Sequence, residues 1–164
     1  MKDRYLFAVS MIALLSAILA LSVWSPRPAA ADELTIHGTY LLTQADDFLQ
    51  LLTLTNDGKA FSQQSGQFEP PSTFGDQQGQ WEIRPSGKIL VRTLNFTRNA
   101  STGAFNGFGR SLFTMQLDLN GGVTGEVLVE NFPPTADPLD LSPSNVPSNT
   151  FGPTLFTGRR LTVE

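Results

Sequence analysis

Tight-turn signals recur at short intervals along this sequence, and they constrain the fold more than any other feature. Asn56-Asp57-Gly58, Pro85-Ser86-Gly87 and Asn120-Gly121-Gly122 each separate two stretches that are rich in apolar residues. Glycine and asparagine accept the positive φ angles that tight hairpins require, and proline presets φ at the start of a turn. Helical periodicity is almost absent between the turns, so the sequence predicts an all-β chain.

The segments between the turns alternate between apolar and polar residues, as strands with one buried face do. The predicted strands cover residues 36–43, 48–55, 59–65, 79–84, 88–98, 104–119, 123–132 and 154–163. Successive side chains of a strand point to opposite faces of the sheet. Phe105, Phe113, Met115, Leu117 and Leu119 share the apolar parity of the sixth strand. Val123, Val127 and Val129 share that of the seventh, so the side chains of both sets are predicted to face the core.

A sheet of eight strands with one apolar face must cover that face, either by curling into a barrel or by folding into a sandwich. Consecutive short hairpins favour the barrel. Glycines within the predicted strands suit the sharp coiling that a small barrel needs, since such glycines mark bends and bulges; they are Gly107, Gly109, Gly125 and Gly158. The predicted fold is therefore an antiparallel up-and-down barrel of about eight strands.

Two connections are too long for simple hairpin turns. The first covers residues 66–78, and the second covers residues 133–153 and is rich in proline. A long irregular loop of this kind is a candidate lid over a barrel mouth. The alternative interpretation is a surface excursion that carries no function, and the sequence leaves both open.

The N-terminal segment predicts export. An uncharged, mostly apolar run over residues 6–24 follows two cations and ends in a proline-containing segment, and Ala29-Ala30-Ala31 then forms a small-x-small cleavage site. We therefore expect residues 1–31 to be a signal peptide and the mature protein to begin at Asp32, in the periplasm or outside the cell. The apolar run is also close to the roughly 20 residues that span a bilayer, so an uncleaved membrane anchor is the alternative.

The length and charge of the sequence limit the number of domains and the classes of partner that it predicts. Removing the first 31 of the 164 residues leaves 133, which is enough for one domain with its own core, over residues 32–164. The leader carries three cations and one carboxylate, so its removal takes the net charge from −4 to −6. An acidic chain without a basic run cannot neutralise phosphates. We therefore predict no nucleic-acid partner, and contact with a membrane only through the N-terminal segment.

No catalytic, metal or cofactor site is predicted. The one histidine, His37, has a parity that should face solvent, the chain has no cysteine, and no serine lies in a Gly-x-Ser-x-Gly turn. Asp46-Asp47 and the pair Asp137 and Asp140 do not match the repeated acidic positions of a calcium loop. A cyclase or isomerase barrel of the allene oxide cyclase or dirigent type needs little more than shape, and it remains the enzymatic alternative.

Two short motifs resemble those of the calycins, the lipocalin and avidin-like barrels. Gly38-Thr39-Tyr40 lies near the start of the barrel sequence and Arg159-Arg160 near its end. In lipocalins a Gly-x-Trp motif packs beneath an arginine from the final strand, and here tyrosine stands in place of that tryptophan. The resemblance implies that the first and last strands pair. Because Arg159 shares its parity with Leu155 and Leu161, we expect Arg159 to be the arginine that lies across Tyr40.

Calycins hold small apolar or amphipathic molecules inside the barrel, and the resemblance implies the same function here. The residues expected to contact such a ligand are Tyr40, Phe113, Met115, Val127, Val129 and Arg159. The competing interpretation is that these side chains simply fill the interior, since an eight-stranded barrel is just wide enough to be solid. A third hypothesis is a structural or protein-interaction module of the cell envelope, with Phe108 and Leu112 as an outward contact patch.

Overall fold

A computed structural model describes residues 36–70 and 72–162, and this part of the chain is built from β-strands. The strands are β1 (Gly38–Gln44), β2 (Leu49–Leu54), β3 (Lys59–Gln64), β4 (Ser72–Phe74), β5 (Gln77–Ile83), β6 (Ile89–Asn99), β7 (Phe105–Leu117), β8 (Gly122–Phe132) and β9 (Asn149–Arg160). In the described ranges, no helix is long and apolar enough to cross a membrane. The predicted signal peptide and its alternative, the membrane anchor, lie outside the described residues.

Eight of the strands close into an antiparallel barrel. Their order is β6-β5-β3-β2-β1-β9-β8-β7, and β6 pairs with β7 to complete the ring. Strand β4 is a short addition that pairs with the end of β6 beyond the reach of β5. The predicted barrel is thus confirmed, and β4 is an element that the sequence did not predict, because its three residues lie within a proline-containing connection.

The two ends of the barrel differ. At one end, called the closed end here, tight turns join β2 to β3, β5 to β6 and β7 to β8, and β1 begins and β9 finishes there. Gly58, Gly87 and Gly121 occupy these turns with φ angles of 81°, 79° and 78°, which glycine adopts without strain. The opposite end, called the open end, carries both long connections, over residues 65–76 and 133–148.

The core lies inside the barrel and is formed by apolar side chains from all around the wall. Its members are Tyr40, Leu42, Leu52, Leu54, Ala60, Ile89, Val91, Phe113, Met115, Val123, Val127 and Phe156. Val129 is half-buried and packs against this cluster. Of the residues that strand parity assigned to the inside, Phe113, Met115, Val123 and Val127 are buried core residues, and Leu117 and Val129 border the core. The prediction for Leu119 was wrong, because β7 ends at Leu117 and Leu119 lies in the following turn, where it is 92% exposed.

The prediction for Phe105 was wrong, because β7 contains a bulge. Thr97 of β6 pairs with Gly107, but Arg98 pairs with Phe105, so Asn106 is an extra residue in β7. One inserted residue moves every preceding side chain of a strand to the other face. Phe105 consequently points outward and is 44% exposed.

The proline-rich connection lies against the outer wall of the barrel, held there by Arg110. This side chain points outward from β7, and its Nη1 donates hydrogen bonds to the carbonyl oxygens of Pro138 (2.9 Å) and Asp140 (3.2 Å). Its Nε donates to Glu130 at 2.7 Å, and its guanidinium lies 4.6 Å from the centre of the Phe132 ring. Contacts on the outer wall favour the interpretation of this loop as a surface excursion over that of a lid.

Candidate functional site

The closed end is organised around Tyr40. Tyr40 and Arg160 are direct partners in the β1–β9 ladder, which confirms the predicted pairing of the first and last strands. The Tyr40 hydroxyl donates a hydrogen bond to the carbonyl oxygen of Ile36. Gly38 has φ 151°, and a Cβ there would lie 2.6 Å from the Arg160 Nε, so the position requires glycine both for its backbone and for the space that Arg160 occupies.

The choice of Arg159 as the inward arginine was wrong. Arg159 is exposed on the outer side of β9, as are Leu155 and Leu161, whose side chains are 66% and 50% exposed. The inner parity belongs instead to Phe156, Gly158 and Arg160. Inside the barrel, a Cβ at position 158 would lie 2.6 Å from Leu42 Cδ2 and 3.0 Å from Val123 Cγ1, so this inward position has room only for glycine.

Tyr40 serves the closed end as a neutral hydrogen-bond donor. Burial raises the pKa of Tyr40 above its ordinary value, and the positive charge of Arg160 partly opposes this shift. The phenol therefore remains protonated at physiological pH and cannot act there as a base. At the closed end the Tyr40 side chain is thus fully buried and uncharged, and Arg160 is half-buried beside it.

We expect Arg160→Ala to destabilise the protein more than Arg159→Ala. Arg160 is half-buried beside Gly38 and Tyr40, and its loss should lower the free energy of unfolding by roughly 1–2 kcal/mol, whereas an exposed arginine should contribute less than about 0.5 kcal/mol. Urea denaturation of the two variants measures the difference. Equal losses would mean that Arg160 contributes nothing to closure of the barrel.

The open end has a polar lining. Seven uncharged polar residues point inward above the apolar core and are almost completely buried: Gln44, Gln50, Ser62, Gln77, Thr93, Asn95 and Ser111. They come from β1, β2, β3, β5, β6 and β7, so they cover most of the circumference. We call this set the polar layer.

Hydrogen bonds link five members of the polar layer, three of them in a chain and two as a pair. Gln44 Nε2 donates to Gln50 Oε1 at 3.0 Å, and Gln50 Nε2 donates to Ser62 Oγ at 2.6 Å. Thr93 Oγ1 donates to Gln77 Oε1 at 2.8 Å. Buried polar groups normally find such partners, because an unpaired one loses its hydration without compensation.

Asn95 departs from this rule. Its side chain is 9% exposed, and its carbonyl oxygen Oδ1 has no hydrogen-bond partner among the residues that the structure describes. It lies over Gly109, its partner on β7, where a Cβ would collide with Oδ1. Leaving a buried acceptor unpaired costs about 1–3 kcal/mol, so this oxygen is the position in the polar layer where an external donor would gain most.

The polar layer presents hydrogen-bonding groups, and none of its members is a histidine, a carboxylate or an amine that could act as a general base. Its members are uncharged amides and hydroxyls, and His37 is exposed and lies near the closed end. Among the described residues, no group of three or more acidic, histidine or cysteine side chains could hold a metal ion. The polar layer itself is therefore a neutral set of hydrogen-bonding groups.

Sequence reasoning missed the polar layer although a signal was present. Gln44 shares its strand parity with Tyr40 and Leu42, and Gln50 shares its parity with Leu52, so both glutamines belong to the face on which the apolar side chains lie. The predicted first strand ended at residue 43, and parity was not applied to the second strand, so neither glutamine was assigned to a face. The layer could have been predicted from strands whose inward-facing residues change from apolar side chains to amides toward one end of the strand.

Five of the six predicted ligand-contacting residues belong to or pack against the apolar core cluster, and Arg159 does not. Tyr40 lies at the closed end, Phe113, Met115 and Val127 lie in the packed core, and Arg159 lies outside the barrel. Val129 pairs with Ser111 of the polar layer and is the member nearest the open end. A role of these residues in binding a ligand stays a prediction.

No protein-family profile, curated protein sequence or solved structure matches this chain. The closed eight-stranded antiparallel barrel is compatible with a calycin-like fold.

Proposed function

We propose that this protein is an exported, non-enzymatic barrel that binds a small uncharged molecule at its open end. The observation that carries the proposal is the unpaired carbonyl oxygen of Asn95 within a layer of neutral amides and hydroxyls. Export rests on the leader sequence that ends in Ala29-Ala30-Ala31. The calycin resemblance supports the same class of function.

The lining favours a ligand with both a polar and an apolar part. A charged group would be desolvated in the polar layer without an opposite charge to compensate, and this is unfavourable by several kcal/mol or more. Directly below the layer, Phe113 and Val127 form an apolar floor. The ligand best suited to this end donates a hydrogen bond, from a hydroxyl or an amide N–H, to Asn95 and rests an apolar body against that floor.

The test compares the wild-type protein with Asn95→Leu, which keeps the approximate volume and removes the acceptor. Native mass spectrometry of the full chain purified from its own source should show an additional small mass on the wild type and lose it in Asn95→Leu. The variant should be at least as stable as the wild type, because it removes an unsatisfied buried acceptor. Asn106→Leu, at an exposed position of the bulge, is the matched control and should retain the mass.

Absence of a bound small molecule on the wild type would contradict the proposal, and so would an equal amount retained by Asn95→Leu.

The same spectra test a second candidate function, a protein-interaction module. Its support is an outward aromatic cluster in which the ring centres of Phe96, Phe105 and Phe108 lie 5.3–6.1 Å apart and Phe96 is 62% exposed. A co-purifying protein in place of a small molecule would favour that function.

A further inference from the structure

A groove crosses the outer wall of the barrel where β7, β8, β9 and β1 lie side by side. Its volume is about 640 Å³, which is within the usual range of about 300–1,000 Å³ for small-molecule sites. Its exposed lining includes Thr43, Gln116, Thr124, Leu155 and Thr157. These five side chains have the outward parity, so they lie on the opposite face of the barrel wall from Asn95. The lining also includes the buried residues Gln44, Met115 and Phe156.

Four of the lining side chains form one row across four strands. Gln116 pairs with Thr124, Thr124 pairs with Thr157, and Thr157 pairs with Thr43. Neighbouring strands are about 4.8 Å apart, so the row presents polar groups at a regular spacing. The hydroxyls of Thr43, Thr124 and Thr157 have no hydrogen-bond partner among the described residues.

Threonine is common on exposed strand faces simply because β-branched side chains suit a pleated sheet. Another part of the outer wall shows how two threonines on adjacent strands interact when their hydroxyls are close enough to bond. Thr39 and Thr53 are also partners on adjacent strands, and their hydroxyls bond each other at 2.9 Å. The threonines of the groove leave their hydroxyls available, and they border a concave surface that can hold a ligand.

We propose that this groove binds an uncharged saccharide. A hydroxyl is both a donor and an acceptor, which matches the hydroxyls of a sugar. The side chain of Leu155 and the threonine methyl groups supply apolar surface for the C–H faces of the ring. The lining carries one cation, Lys88, and one anion, Glu126, so it has no net charge with which to attract a charged ligand.

The experiment is an NMR titration of the 15N-labelled full chain with the neutral trisaccharides maltotriose, cellotriose and N,N′,N″-triacetylchitotriose, and with trigalacturonate as a charged comparator. We expect at least one neutral trisaccharide to shift the amide signals of Thr124, Gly125 and Thr157. Thr157→Val keeps the shape and removes one hydroxyl, and it should weaken binding about tenfold, as expected for one lost hydrogen bond. Thr150→Val, at another exposed position of β9, should bind like the wild type.

The proposal would be overturned by the absence of shifts with every neutral trisaccharide, or by tighter binding of trigalacturonate than of the neutral trisaccharides. Equal affinity of a neutral trisaccharide for the wild type and for Thr157→Val would also overturn it. Shifts confined to the signals of Thr93, Asn95 and Ser111 would also overturn it, because they would place the sugar at the open end. The proposed function at the open end is judged separately by Asn95→Leu, which should leave saccharide binding in the groove unchanged.

Discussion

Phe113→Ala is expected to lower the free energy of unfolding by about 3–5 kcal/mol, because truncating a buried phenylalanine removes its apolar contacts and leaves a cavity. Phe113 is 1% exposed, and its ring meets that of Phe156 edge to face, with the ring centres 6.1 Å apart. Urea denaturation followed by circular dichroism measures the loss. Val127→Ala, at its cross-strand partner, should cost less, because fewer buried atoms are removed.

The matched control is Phe105→Ala on the same strand. The ring of Phe105 is outward and 44% exposed, so its removal should cost much less than the removal of Phe113. A Phe113→Ala variant that unfolds at the same urea concentration as the wild type would show that the interior of the barrel is not packed at this position. A larger loss for Phe105→Ala would mean that the aromatic cluster outside the barrel contributes more than the core.

Arg110→Ala is expected to have a comparable effect, about 3–5 kcal/mol, because it would leave the Glu130 carboxylate buried without its partner. The side chains of Arg110 and Glu130 are only 6% and 14% exposed. The variant also removes the donors that hold the carbonyl oxygens of Pro138 and Asp140. Urea denaturation should report the loss of stability, and faster proteolysis within residues 133–148 should report release of the loop.

Two further variants test whether the unpaired Glu130 carboxylate causes the loss of stability. Replacing both partners, as Arg110→Met with Glu130→Leu, should recover much of the stability, because a well-packed apolar pair can replace a buried ion pair. Lys59→Ala breaks an exposed ion pair with Asp57, which water screens, and should change stability far less than Arg110→Ala does. An Arg110→Ala variant no less stable than Lys59→Ala would contradict the assignment of Arg110 as the anchor of the loop.

The layout of the strands could be predicted because hairpin turns are local. Gly58, Gly87 and Gly121 need only their neighbours to form a turn, and each lies in a turn of the structure. Parity then placed Phe113 and Met115 inside correctly, because both lie in the regular part of β7 beyond the bulge. Closure through β1 and β9 was also predicted, from two motifs at opposite ends of the barrel sequence.

The errors arose at residues whose side-chain orientation or burial depends on contacts with segments that are distant in sequence. Phe105 was assigned to the wrong face because a bulge cannot be located from alternation alone, and Arg159 because the crowding that selects Gly158 comes from β1 and β8. Arg110 is buried by a loop about 30 residues away in sequence. Asn95 was missed as part of the candidate site because its significance depends on the absence of a nearby partner, which only three-dimensional structure reveals.

Pairing of the first strand with the last also governs how the chain can fold. Tyr40 and Arg160 are partners across 160 − 40 = 120 residues, so the final ladder closes the largest loop in the domain. Such long-range pairing slows folding, and during synthesis β1 keeps an unpaired edge until β9 has emerged. An open sheet formed before this closure would have two bare edges, through which its strands could join those of another molecule.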